Sequence, residues 1–190
     1  VFADRAAAKG RRANWLSLWR NTLLLVIGGA HTAFWFGDVL MLYAVCSPVL
    51  LLLRTCSART LFIAGGICLA LSALTMAAVQ GEIEAADLGD YWVDENTAMG
   101  EDVQFAVLAD FGMRALGAML IGVGLFRADI IQGRRPAEFY RRLATGSLGI
   151  GVPLSILGVA IHLANDWNPD VALVGAVPNI LATVPMAIGY

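Results

Sequence analysis

Charged residues are scarce in this sequence, and the remainder is too apolar for a soluble domain. Only 15% of the 190 residues are charged, whereas 58% are hydrophobic and the mean hydropathy is +0.70. Soluble globular domains carry about 25% charged residues. The composition therefore excludes an ordinary soluble domain and predicts an integral membrane protein.

Cysteine and the common ligand-binding motifs are equally sparse. The three cysteines show no Cys-x-x-Cys or Cys/His spacing, so neither a disulfide framework nor a zinc site is predicted. Glycine pairs occur, but they do not form a P-loop or a dinucleotide-binding pattern. We therefore expect no metal site, no nucleotide-binding domain and no nucleic-acid partner.

Long apolar segments are what the sequence does contain. A helix that crosses about 30 Å of hydrocarbon needs about 20 apolar residues. Six segments approach that length, at residues 16–36, 39–53, 60–79, 103–126, 143–163 and 172–190. The sequence therefore predicts one all-α domain over residues 1–190, a polytopic transmembrane helix bundle of about six spans.

The charges are sorted along the chain in a way that predicts orientation. Every basic residue except Arg114 lies in the N-terminal arm to Arg20, in the 54–59 loop or in the 127–142 loop. Because cytoplasmic loops are enriched in Lys and Arg, these segments are predicted to face the cytoplasm. The 80–102 loop has eight acidic residues and no basic ones, and it is predicted to be extracytoplasmic.

Two interpretations of the basic 127–142 loop stay open. Its arginines could contact anionic lipid headgroups, or they could serve only to set the topology. The expected partners of the bundle are membrane lipids and, if the protein belongs to a larger assembly, other membrane protein subunits.

Small residues recur at four-residue spacing in three of the predicted spans. The rows are Ala64, Cys68 and Ser72; Ala118 and Gly122; and Ser147, Gly151 and Ser155. Such rows let helix backbones approach closely in a membrane, where no hydrophobic effect drives helix association. They predict a compact bundle.

Asp110 and Arg114 lie inside the fourth predicted span. Their spacing of four residues places them on one helix face, where they can pair. An isolated arginine at mid-bilayer costs at least about 2.5–3.5 kcal/mol, so such a residue usually faces the protein interior. The pair either fixes helix packing or binds a substrate.

His31, Arg20 and Asp38 form a second candidate set. Arg20 precedes His31 by close to three helical turns, so both lie on one face, roughly 16 Å apart along the axis. Histidine changes charge near neutral pH, and a nearby carboxylate such as Asp38 can orient its ring. His31 is thus either a proton-transfer group or a hydrogen-bonding residue between helices.

His162 lies near the outer end of the fifth predicted span, beside Asn165 and Asp166. These residues form either an ordinary helix terminus or a polar cluster that faces His31 across the bundle. We therefore include His162 with Arg20, Asp110 and Arg114 as a candidate substrate-binding residue.

The order of these features resembles a known family. Gly-x-x-His at residues 28–31, followed by an aromatic stretch and Gly-Asp-Val-Leu from Gly37, resembles the YeiB-like family of bacterial membrane proteins, which has no established function. The segment 114–158 resembles later helices of that family. Its members are longer and carry further helices on both sides, so this chain is expected to be a middle portion of a larger helical protein in the bacterial cytoplasmic membrane.

The resemblance implies an activity, because YeiB-like proteins are distantly similar to transmembrane acyltransferases. By that implication His31 and Asp38 would be catalytic, acyl-CoA would be the donor and Arg20 would attract its phosphate. Two alternatives stay open. The polar residues could line a path for a small solute, or they could only set packing in an accessory subunit of a membrane complex.

Overall fold

The computed structural model describes residues 13–32, 39–53, 55–82 and 101–190, and these ranges are helical with short connections and no strand. The helices are α1 (Ala13–Thr32), α2 (Leu40–Leu53), α3 (Ala58–Glu82), α4 (Glu101–Arg127), α5 (Ala137–Ala164) and α6 (Ala172–Gly189), with a 3-10 turn at Pro169–Val171. This confirms the all-helical fold class predicted from composition.

Four of the described helices are long and apolar enough to cross a membrane. These segments are Ala58–Gln80, Phe105–Arg127, Ala137–Ala164 and Ala172–Gly189. They correspond to the third to sixth predicted spans. The helix α2 is apolar but only 14 residues long. That α1 and α2 cross the membrane stays a prediction.

The side chains of α3 illustrate which residues of these helices are exposed and which are buried. Large apolar residues such as Ile67 and Leu74 are exposed, whereas Leu61, Leu69 and Met76 are buried. An exposed apolar face is compatible with lipid and unfavourable in water. The protein-facing side buries polar groups as well as apolar ones, as Ser72 on α3 illustrates.

The described residues fall into two compact units, which divide between Ser57 and Ala58. In the first unit, α1 packs against α2. The Asn21 side-chain amide donates a hydrogen bond of 2.7 Å to the carbonyl of Ala44, which is buried. An amide so placed joins the two helices by bonding a backbone carbonyl instead of water.

The second unit contains α3 to α6. The helices α3 and α4 are antiparallel and cross closely where Gly65 meets Gly117. A Cβ built on Gly65 would lie 2.8 Å from the Gly117 carbonyl oxygen. Such an approach of two backbones is possible only without side chains on either residue.

Of the two residues that the small-residue row selected on α4, Gly122 takes no part in this crossing. A Cβ added at Gly122 would meet nothing within 4 Å, whereas Gly117 contacts α3. The reason is the orientation of the polar groups. Asp110 lies two turns before Gly117, on the same face, and its hydrogen bond with Ser72 turns that face toward α3.

The helices α5 and α6 are also antiparallel, and α6 packs against α3. Gln80 near the end of α3 accepts hydrogen bonds from the backbone N–H groups of Leu173 (2.7 Å) and Val174 (3.4 Å). These donors belong to the first turn of α6 and have no partner within that helix. Gln80 therefore caps α6 from another helix.

A small apolar core lies beside this cap. It consists of Ala73, Met76, Leu173 and Ile180. The pairing of helices places the C-terminal ends of α3 and α5 at the same end of the unit as the N-terminal ends of α4 and α6. The polar residues discussed next lie in that half.

Candidate functional site

A cavity of about 250 Å³ lies among α3, α4, α5 and α6. Its polar and aromatic lining consists of Asp110, Phe111, Arg114, His162, Trp167 and Asn179. Apolar side chains such as Met76 and Leu173 complete the wall. A largely apolar cavity with a few convergent polar groups is the usual form of a small-molecule site.

Asp110 accepts hydrogen bonds from two neighbouring polar side chains. It is 2% exposed, and both of its carboxylate oxygens are used: Ser72 Oγ donates to Oδ1, and the Arg114 guanidinium donates to Oδ2. The i, i+4 pairing predicted from sequence is therefore present. A buried charge is tolerated when it is paired and hydrogen-bonded in this way.

Arg114 can donate a hydrogen bond beyond those of its pair with Asp110. Its Nε is buried and has no hydrogen-bond partner among the residues that the structure describes. Its Cζ lies 5.3 Å from the centroid of the Phe111 ring, at a distance suited to a cation–π contact. Asp110 and Phe111 thus hold the guanidinium, and one of its donors stays available beside the cavity.

His162 enters the cavity from the last turn of α5. It is 4% exposed and stacks on Trp167, with ring centroids 5.1 Å apart and an angle of 4° between the ring planes. The Trp167 backbone N–H donates to the His162 backbone carbonyl at 2.9 Å and closes the turn that brings the two rings together. The stacking then positions the imidazole at the cavity wall.

The chain turns sharply to bring the tryptophan back over the histidine. Asp166 and Trp167 have φ angles of +49° and +56°. Left-handed backbone at a residue other than glycine is uncommon and costs of the order of 1–3 kcal/mol per residue. The tertiary contacts of Trp167, including the stacking on His162, offset that cost.

Glycines on the facing helices make room for the polar side chains. A Cβ at Gly175 would lie 2.5 Å from His162 Cε1, and one at Gly158 would lie 2.5 Å from the Asn179 amide nitrogen. The imidazole and the amide therefore rest directly on the opposing helix backbones. Larger residues at either position would displace them.

Three of the sequence-predicted site residues thus line one cavity: Asp110, Arg114 and His162. Trp167 and Asn179 were missed. Neither was singled out as a site residue from the sequence, although Asn179 is a polar residue inside an apolar span. A polar residue inside an apolar span was also the signal that identified Asp110.

Two of the other predicted site residues belong to the first unit. Arg20 and His31 lie on α1, and both side chains are exposed. Asp38 lies outside the described residues. Their catalytic and donor-binding roles stay predictions. Among the described residues, no group of three His, Cys, Asp or Glu side chains is placed to hold a metal ion.

Comparison with known proteins gives one informative relative. The chain is 27% identical over 207 residues to the uncharacterized protein YeiB of Escherichia coli, across 96% of this chain and 53% of YeiB. It therefore spans about half the length of that curated relative. No family model and no solved structure matches.

This similarity supports the YeiB-like resemblance that the Gly-x-x-His motif indicated. The match carries no description of an activity. The acyltransferase resemblance has no counterpart in these comparisons. An assignment of function to the cavity consequently depends on its own chemistry.

Proposed function

We propose that this chain is the cavity-bearing part of a YeiB-like membrane acyltransferase, which moves an acyl group from a cytoplasmic donor to an extracytoplasmic acceptor. One observation carries the proposal: an imidazole and an arginine–carboxylate pair border the same cavity among four apolar helices. Acyl transfer needs a base near the acceptor and a positive group near the developing oxyanion.

The contacts support the following proposed roles. His162 takes the proton from the acceptor hydroxyl or amine as its oxygen or nitrogen attacks the acyl carbonyl. Arg114 stabilises the oxyanion, and Asp110 positions Arg114. With a thioester donor such as acyl-CoA, the new acyl–acceptor bond replaces the carbon–sulfur bond, and the thiolate leaves and is protonated.

The His162→Ala variant tests this assignment. With the protein in lipid nanodiscs, ¹⁴C-acetyl-CoA as donor and extracted envelope glycans and lipids as acceptors, we expect the variant to lose about 10²–10⁴-fold of the transfer rate. His162→Gln is expected to fail as well, because an amide cannot accept the proton. Thermal unfolding of each variant shows whether a lower transfer rate comes from a loss of folded protein.

His31→Ala is the matched control, because His31 is the other histidine of the chain. Loss of transfer in His31→Ala alone would move the reaction to α1, where the sequence placed it. Equal rates in all variants, or no transfer by the unaltered protein, would contradict the acyltransferase proposal.

A second candidate function is passage of a small solute or proton. The observation in its favour is that Asp110 and Arg114 lie well inside α4, where charges in membrane helices usually mark a pathway. Solute uptake into proteoliposomes that contain the protein, without chemical change of the solute, would favour this function. Absence of both activities would favour an accessory subunit.

The proposed direction of transfer predicts the orientation of the chain. In a cysteine-free background, a single cysteine introduced as Thr97→Cys should react with a membrane-impermeant maleimide in intact cells, because the acidic 80–102 loop is predicted to be extracytoplasmic. Replacement of Arg134 by cysteine is the control for the opposite side and should react only after lysis. The reverse pattern would overturn the orientation.

A further inference from the structure

A second cavity, of about 270 Å³, lies between α5 and α6 at the end of the unit opposite the His162 site. Its walls are mainly apolar and include Leu143, Ile150, Val184 and Ile188. Arg142 borders it at the end nearest the basic loop. The cavity is therefore an apolar groove with a cation at one end.

Two residues of the groove lining, Gly146 and Pro185, are uncommon inside helices. A Cβ added at Gly146 would meet nothing within 4 Å, so this part of the α5 surface is uncovered. On the other wall, Pro185 lies inside α6 and has no N–H to complete the helix hydrogen bonding. The groove is therefore lined by a residue without a side chain on α5 and by a proline on α6.

The segment that leads into the groove is positively charged. Residues 127–142 contain five arginines and two carboxylates, a net charge of +3. Arg134 pairs with Asp129, and Arg142 pairs with Glu138. Arg141 is exposed and has no side-chain partner among the described residues. A surplus of positive charge therefore surrounds the polar end of an apolar groove.

We propose that this groove binds an anionic phospholipid, with one acyl chain between α5 and α6 and the phosphate against Arg142 and Arg141. The stretch from Arg142 to Ile150 rises about 12 Å along α5. That distance fits within the roughly 15 Å of hydrocarbon in one leaflet. Basic pockets between membrane helices on the cytoplasmic side are typical sites for such headgroups.

The charge selects the lipid class. Phosphatidylglycerol brings a net negative charge to the arginines, whereas phosphatidylcholine brings a quaternary ammonium as well as a phosphate. The surplus positive charge of the 127–142 segment disfavours phosphatidylcholine, because it repels the quaternary ammonium. The occupant is thus distinguished from an ordinary boundary lipid by its dependence on headgroup charge.

Native mass spectrometry of the detergent-solubilised protein, titrated with dioleoyl phosphatidylglycerol or dioleoyl phosphatidylcholine, tests the proposal. We expect one phosphatidylglycerol to bind at least about ten-fold more tightly than phosphatidylcholine. Gly146→Leu should abolish that binding by filling the groove. Arg141→Gln/Arg142→Gln should remove the preference for phosphatidylglycerol and leave both lipids weakly bound.

Gly149→Leu is the matched control. Gly149 also has nothing within 4 Å of an added Cβ, and it does not line the groove. Its variant should retain phosphatidylglycerol like the unaltered protein. Equal binding of the two lipids, or undiminished phosphatidylglycerol binding by Gly146→Leu, would overturn the proposal. The exposed arginine variants decide the question if Gly146→Leu does not fold.

Discussion

Replacement of Asp110 by asparagine is expected to destabilise the four-helix unit by about 3–5 kcal/mol, which is the usual cost of breaking a buried ion pair. Asp110 is 2% exposed and accepts hydrogen bonds from Ser72 and Arg114. Without the carboxylate, the Arg114 guanidinium would be left without its counterion among apolar helices. The melting temperature in detergent or nanodiscs should fall clearly.

The matched control is Asp129→Asn, which breaks an exposed aspartate–arginine pair with Arg134. The side chains of that pair are 45% and 68% exposed, and its nitrogen and oxygen lie 3.0 Å apart. Exposed pairs contribute about 0–1 kcal/mol. Asp129→Asn should therefore leave the melting temperature almost unchanged, and similar effects of the two variants would show that Asp110 is not held as a buried ion.

A double variant separates charge from packing. Asp110→Leu/Arg114→Met removes both ions and keeps apolar volume on α4. Because replacement of a buried ion pair by apolar residues is often neutral or stabilising, the double variant should regain much of the stability that Asp110→Asn loses. It should still lose acyl transfer, since Arg114 is the proposed oxyanion donor.

Substitution of Gly65 by alanine is expected to have the second large effect on stability. The added Cβ would lie 2.8 Å from the Gly117 carbonyl oxygen and 2.6 Å from Ile121 Cγ1. A side chain can change its rotamer, but the backbone oxygen can move only if α4 moves. Overpacking of this kind typically costs about 1–3 kcal/mol and sometimes more.

The neighbouring glycine provides the control. A Cβ at Gly66 would meet nothing within 4 Å. Because alanine is favoured over glycine inside a helix by about 1 kcal/mol, Gly66→Ala should be neutral or slightly stabilising. Thermal unfolding of the two variants side by side measures the difference. Equal stability would mean that α3 and α4 do not cross at Gly65.

This pair of glycines shows the limit of sequence-based prediction for the fold. Apolar length predicted four of the long helices, because a helix that crosses hydrocarbon must satisfy its backbone internally and present apolar side chains. The rows of small residues predicted close packing and selected Gly122 on α4, but a Cβ at Gly122 would meet nothing within 4 Å, whereas Gly117 contacts α3. Helix rotation depends on all the residues of a face, and here the burial of Asp110 decides it.

The candidate site was also predicted only in part from the sequence. Asp110 and Arg114 could be paired from sequence because both belong to one helix and four residues separate them. The sequence grouped His162 with them as a candidate substrate-binding residue but could not place it beside them, because that depends on how α3 packs against both α4 and α6. The stacking of Trp167 on His162 requires two successive left-handed residues in a turn, and no local sequence pattern predicts that conformation.

By itself, the sequence determined the helical class, the third to sixth spans and the presence of charges that lipid would not tolerate, since each of these depends on local composition and on helix geometry. The tertiary structure alone decided which polar side chains meet. Asp110, Arg114, His162 and Asn179 come from three helices, and the space that they share depends on the packing of α5 and α6 at Gly158 and Gly175. Helix packing fixes relative rotation and depth, and these are properties of pairs of helices that no single segment encodes.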